Sequence, residues 1–173
     1  INNCNKNAIY AYRGNIEIIG NIINNTRKHG IKLIEPDKCV INGNKINNTS
    51  KNGIHIIEPN NVEITDNSIN SNEKNGIRIT SLTSNSNIDI VRNYISYNVY
   101  QGISIIGGNA YIYNNYLIFN LKCGIYCIGV TTSLDYNTIK NDGTPCIILK
   151  KSLFTLNKNK LAINNYANDV EVS

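Results

Sequence analysis

The stretch Asn52-Gly53-Ile54-His55-Ile56-Ile57-Glu58-Pro59-Asn60-Asn61-Val62-Glu63-Ile64-Thr65-Asp66-Asn67-Ser68-Ile69 holds two short apolar alternations, Ile54/Ile56 and Val62/Ile64, followed by an Asn and one more apolar residue. Alternation with period two marks a strand with one buried face, whereas a helix would show a period near 3.6. Turn residues separate the pieces: Glu58-Pro59-Asn60-Asn61 after the first strand and Asp66-Asn67 after the second.

Most of the chain is a variation on this stretch. Its Gly aligns with Ala8, Gly30, Gly53, Gly76, Gly102, Gly124 and Cys146, spaced 22, 23, 23, 26, 22 and 22 residues. Its Asn aligns with Asn21, Asn44, Asn67, Asn93, Asn115, Asn137 and Asn159, spaced 23, 23, 26, 22, 22 and 22. Both series absorb one three-residue insertion, near Ser81 to Ser86. Apolar pairs follow each Gly (Ile31/Leu33, Ile77/Ile79, Ile103/Ile105) and precede each Asn (Cys39/Ile41, Ile88/Ile90, Ala110/Ile112, Phe154/Leu156). A single apolar residue stands two beyond each Asn, as at Ile46, Ile69 and Ile95.

Three short strands per 22 to 26 residues describe one coil of a parallel β-helix, each strand stacking on its counterparts in neighbouring coils. About seven coils at one strand spacing each make a rod roughly 33 Å long. The recurring Asn falls at a bend, so its copies stand about 4.8 Å apart and their carboxamides can bond in a ladder. The recurring Gly fits a turn needing positive φ, or close packing between coils. A left-handed β-helix would show a hexapeptide rhythm and a leucine-rich repeat would need a helical segment; neither is present.

Composition agrees with repetition. In 173 residues there are no Met or Trp, and 17% are charged, against about 25% in an average domain. The net charge of +5 suits a polyanionic partner, but no nucleic-acid-binding motif appears and Lys28, Lys38, Lys45, Lys51, Lys122 and Lys140 read as scattered through loops. No apolar run approaches the 18 or so residues of a membrane span, and nothing resembles a signal peptide. Five cysteines cannot all pair within one chain. Cys39 and Cys127 are expected inward as small apolar residues. Cys123 and Cys146 fall on adjacent coils, one residue out of step, where a disulfide is geometrically conceivable. The sequons at Asn24, Asn47 and Asn48 are expected by chance in so Asn-rich a chain.

The pattern Gly53-Ile54-His55-Ile56 followed by Val62-Glu63-Ile64-Thr65-Asp66-Asn67-Ser68-Ile69 resembles the repeats of the pectate-lyase-like superfamily, including its NosD-like and alginate-epimerase-like groups. The resemblance implies an all-β, right-handed parallel β-helix with an internal Asn ladder over nearly the whole chain. It says little about activity, since members include lyases, hydrolases, epimerases, tailspikes and adhesins. Their catalytic motifs do not transfer: there is no Asp cluster spaced like pectate-lyase calcium ligands, no paired Asp motif of polygalacturonases, and no Asp-Pro-His-Glu of the epimerases.

Two residues after each Gly position, facing outward, stand Tyr10, Lys32, His55, Arg78, Ser104, Tyr126 and Ile148. Lys32, His55 and Arg78 form a cationic column of the kind that can neutralise a uronate carboxylate and move its α-proton. Tyr10 and Tyr126 extend that column as candidate sugar contacts. Glu35-Pro36 and Glu58-Pro59 recur at one bend, so their carboxylates stack. They are candidate binding residues, expected to pair with Lys32, His55 or Lys38, and with Asp37 they could meet Ca²⁺. Glu17, Glu63 and Asp89 face outward on the second strand with Val40 between them, and tyrosines from Tyr94 to Tyr136 make the second half aromatic.

The first coil starts at its third strand, since Ile1-Asn2-Asn3 matches Ile46-Asn47-Asn48, and residues 168–172 resemble the start of another coil. The expectation is a single β-helix segment of a longer protein, continued by further coils, capping domains or other subunits. Its expected role is structural or glycan-contacting, in an extracellular, cell-surface or virion-exposed assembly. No resident cofactor is expected, and the competing role is a lyase, C5-epimerase or hydrolase of an acidic polysaccharide. The ladder generates one direct test: Asn67→Leu should lower the urea midpoint more than Asn60→Leu, and equal effects would count against it.

Overall fold

The structure, a computed structural model, describes residues 1–83, 85–140, 145–162 and 170–173. It is a right-handed parallel β-solenoid of about seven turns with no helix among those residues. The three strands of each coil belong to three separate sheets. The first sheet runs from Ile9–Tyr12 through Ile31–Ile34, Ile54–Ile57 and Ile77–Thr80 to Ile147–Lys150 and Val170–Val172. The second carries Asn15–Ile19, Lys38–Asn42, Asn61–Thr65, Asn87–Val91 and their successors, and the third Ile22–Thr26, Lys45–Thr49, Ser68–Asn70, Tyr94–Ser96 and theirs.

Register follows the aligned landmarks, so each side chain stands on its counterpart. Ile31, Ile54, Ile77 and Ile103 are paired in sequence on the first sheet, and Cys39, Val62, Ile88 and Ala110 on the second. All of these are buried, and with Ile46, Ile69 and Ile95 they form one continuous core. Each fully buried Ile contributes about 1.5–3 kcal/mol against exposure, before the entropy of ordering the chain. Phe154 and Leu156 keep the inward alternation yet are 36% and 40% exposed, because Leu153–Asn157 is the last strand of its sheet.

The ladder runs through all seven Asn positions. Asn21, Asn44, Asn67, Asn93, Asn115 and Asn137 each donate from Nδ2 to Oδ1 of the next copy, at 3.0 to 3.1 Å. Asn67 also receives the backbone N–H of Asn44 on its Oδ1 and gives its second amide hydrogen to the carbonyls of Ile41 and Thr65. A carboxamide at the bend thus satisfies backbone that the corner leaves without a strand partner.

Two further columns extend this chemistry beyond what the spacing of one landmark suggested. Five residues past the ladder stand Thr26, Thr49, Asn72, Asn98 and Asn120. Thr49 donates its backbone N–H to Asn72 Oδ1, and Asn72 and Asn98 each give an amide hydrogen to the next copy at 2.8 Å. One residue before the Gly positions stand Asn7, His29, Asn52, Asn75 and Gln101, and the side chains of the first four each accept the backbone N–H of the following coil.

The recurring Gly is explained by crowding. Gly30, Gly53, Gly76 and Gly102 lie outside the positive-φ set. A Cβ on Gly53 would sit 2.6 Å from Ile69 Cγ2 and 2.8 Å from the carbonyl oxygen of Gly76. Positive φ falls instead at the corners: on Glu35 and Glu58 after the first strand, on Gly43, Asp66 and Arg92 after the second, and on Asn25, Asn48, Ser71 and Tyr97 at or just past the end of the third. The insertion leaves the stacks undisturbed. The hydroxyls of Ser81 and Ser86 lie 2.6 Å apart, Ser86 donates to the carbonyl of Pro59, and Leu82 projects into solvent.

Gly53→Ala should therefore cost about 1–3 kcal/mol by overpacking. A urea midpoint equal to that of the parent chain would refute the crowding account.

Candidate functional site

Lys32, His55 and Arg78 are brought together as expected, in direct register on the first sheet. They line a groove of about 420 Å³. A second column forms its other wall: Lys51, Lys74 and Tyr100, each two residues before a Gly landmark. Sequence reasoning missed these because loop lysines read as scattered. The signal was their fixed offset from the Gly landmarks, which places Lys28, Lys51, Lys74, Tyr100 and Lys122 one above another. Their stacking is visible in backbone bonds from Lys74 to Lys51, from Tyr100 to Lys74 and from Lys122 to Tyr100.

Two imidazoles line the groove, His55 within the first wall and His29 beside it. The rings of His29 and His55 lie with centroids 4.7 Å apart and planes tilted by 41°. His29 Nδ1 accepts the backbone N–H of Asn52, so its ring proton belongs on Nε2. His55 Nδ1 is buried and has no hydrogen-bond partner. Burial first, then His55 and the charges of Lys51, Lys32 and Lys74, push the His29 conjugate acid down to about 3. Burial first, then Lys32, Arg78, Lys51 and Lys74, push that of His55 down to about 4. Both rings are neutral at pH 7.

Three acids pair with cations away from the groove. Glu35 pairs with Arg13 at 2.8 Å, Asp66 with Arg92 at 2.7 Å and Lys150 with Glu171 at 3.6 Å. Among the described residues, none of Lys32, Lys51, Lys74 and Arg78 has a salt bridge, and no carboxylate lines the groove. The expected partners of Glu35 and Glu58 are thus corrected. Both side chains leave from the corner beyond the strand, so Glu35 meets Arg13, and Glu58 accepts the backbone N–H of Leu82 at 3.1 Å.

Tyr10 adjoins Lys32 and is exposed, whereas Tyr126 is separated from Arg78 by buried Ser104 and lies outside the groove. Glu63 and Asp89 do stand side by side on the second sheet, and burial first, then Glu63, raises Asp89 above the usual carboxylate range. Burial raises the Cys39 and Cys127 thiols to about 12, as inward positions demand. Cys123 and Cys146 are both buried, and Cys123 Sγ donates to the carbonyl of Ile125. No group of three or more His, Cys, Asp or Glu that could hold a metal occurs among the described residues. The described residues hold no helix long and apolar enough to cross a membrane, which says nothing of β-barrels.

The family description "Right handed beta helix region" matches residues 1–141. The chain belongs to this right-handed beta helix family. A search of curated proteins finds no match. Among solved structures, the A-module of the Azotobacter vinelandii mannuronan C-5 epimerase AlgE6 is similar with a TM-score of 0.62 at 18% identity, covering 97% of this chain and 57% of that one. The Streptococcus pneumoniae surface protein and adhesin PfbA aligns over 99% of this chain and 67% of its own, with a TM-score of 0.43 at 11% identity. The first likeness concerns fold alone, and this β-helix spans little more than half of the epimerase module's length.

The neutral histidines carry a consequence for stability. Free His titrates near 6.5, so between that pH and about 3 the unfolded chain holds a proton that folded His29 refuses. Stability is then complete above that window and falls as pH drops through it. His29→Asn keeps an acceptor for Asn52, as Asn does at the same position on the next coils, and removes the titration. The variant should lose less of its urea midpoint than the parent between about pH 7 and pH 4. Equal losses would show that His29 does not titrate this way.

Proposed function

We propose that this β-helix is a non-catalytic, glycan-contacting rod that holds an acidic polysaccharide in the groove of Lys32, His55 and Arg78, as part of a larger surface or virion-type assembly. The observation that carries the reading is four cations around one groove with no lining carboxylate among the described residues. Folding alone gives no reason to gather like charges on adjacent coils, since each such pair is repulsive. A ligand with carboxylates at regular intervals removes the repulsion. Lys51 and Lys74 stand one strand spacing apart, about 4.8 Å, and Lys32 and Arg78 two spacings apart, a regular placement that suits a polymer repeating its own charge. His29 and His55, kept neutral, add ring faces and N–H groups without adding to the repulsion. The solved structure of similar fold acts on mannuronan, a polyuronate, which accords with this ligand class.

One observation favours a catalytic reading as the alternative. His55 is neutral between Lys32 and Arg78, with an Nδ1 that lacks a partner, which is the state a general base requires. Against it, a conjugate acid held down to about 4 makes that ring a feeble base, and the unpartnered nitrogen is shut away from the groove.

Calorimetry with polymannuronate, polygalacturonate and a neutral glucan tests the proposal. The polyuronates should bind, the glucan should not, and added salt should weaken binding as charges are screened. Arg78→Ala and Lys74→Ala should each lower affinity by roughly three- to tenfold, as expected for loss of one partly exposed charge contact. Binding that ignores both substitutions would refute the reading. Unsaturated ends or altered uronate epimers in the product, lost in His55→Ala, would replace it with the catalytic one.

A further inference from the structure

The outer surface changes character between the third and fourth coils. At three positions spaced three residues apart, the fourth coil carries Tyr94, Tyr97 and Tyr100, where the third carries Ser68, Ser71 and Lys74. The register is direct: Tyr94 pairs with Ser68, the backbone N–H of Ser71 bonds to Ser96 beside Tyr97, and that of Tyr100 bonds to Lys74. On the other side each tyrosine is backed by the fifth coil. Tyr94 stacks on Tyr116 at 5.5 Å with planes 11° apart, Tyr97 stacks on Phe119 at 5.1 Å, and Lys122 Nζ lies 4.9 Å from the Tyr100 ring centre. One face of each ring is thus covered from the fifth coil, while on the third coil stand Ser68, Ser71 and Lys74. The three remain 43%, 56% and 40% exposed.

The fold does not ask for these residues. Tyr97 and Phe119 occupy the left-handed corner, with φ of 55° and 57°, at the position that Asn3, Asn25 and Asn48 fill on the first coils. Asn accepts that conformation readily, while a bulky aromatic is strained there. An aromatic ring kept there, half in solvent, has a use for its open face.

We infer that Tyr94, Tyr97 and Tyr100 form a ledge on which successive sugar rings of the acidic polysaccharide stack, leading the chain round the corner from the third sheet into the cationic groove. This path rests on the groove reading above. Tyr100 belongs to both, since it lines the groove, and Lys74 stands opposite it at the point where the ledge enters. Three residues of chain span at most about 10 Å, so one polymer can reach successive tyrosines without leaving the surface. Flat apolar ring faces suit the C–H faces of sugars, and the Tyr hydroxyls can bond their hydroxyl groups.

Size-fractionated oligomannuronates, one short enough to fill only the groove and one long enough to reach Tyr94, separate the two ideas by calorimetry. In the parent chain the long oligomer should bind more tightly than the short. Tyr94→Ser with Tyr97→Ser should lose about tenfold in affinity for the long oligomer and none for the short. Tyr94→Phe with Tyr97→Phe, which keeps the ring faces, should bind the long one within about threefold of the parent. Thermal melts establish that each variant is folded. If the serine pair binds the long oligomer like the parent while Arg78→Ala weakens both oligomers, the ledge is refuted and the groove stands. If Arg78→Ala changes neither, or the parent binds neither, the groove reading fails and the path with it.

Discussion

The constraint on which this structure depends is the parallel stack: every side chain has a neighbour of the same role one strand spacing above and below it. An inward apolar residue is buried only because its counterparts are. A buried amide is tolerated only because its neighbour completes its hydrogen bonds, as Asn67 is completed by Asn44 and Asn93. The same rule governs the space at the Gly positions, where the carbonyl of the adjacent coil fills the volume a methyl group would need. Sequence repetition follows from geometry, since a column accepts only what its neighbours accept.

That constraint turns against charge. Like charges placed in one column sit close together, and pairing between neighbouring coils relieves part of this, as between Arg13 and Glu35 and between Arg92 and Asp66, while Glu63 and Asp89 remain side by side. The groove departs from the pattern. Lys32, Lys51, Lys74 and Arg78 face one space, and burial, reinforced by those charges, keeps the two imidazoles there neutral. The acidic polysaccharide proposed above would relieve that gathering of like charge.

The sequence made the strands, the coil length, the Asn ladder and the Lys32, His55 and Arg78 column legible, because each is a direct image of periodicity. It hid what periodicity does not encode. The Thr26 to Asn120 column changes residue type while keeping its hydrogen-bonding role, so matching by identity passes over it. His29 was silent because its neighbours in the column are amides, and only the fold shows an imidazole accepting the bond that an amide oxygen accepts elsewhere. Partner choice for Glu35 depended on a corner that swings the side chain away from Lys32. The ledge needed side-chain planes, which no spacing contains, although the tyrosines themselves were in plain view.

The three extra residues between Thr80 and Asn87 leave every column on either side in step: Asn67 still meets Asn93 and Glu63 still meets Asp89. The serine pair closes the base of the loop and hands the chain back at the height where it left. Chain length and register are therefore uncoupled at this corner. The rod can lengthen its reach sideways there, and acquire new surface, without renegotiating the interior that holds it together.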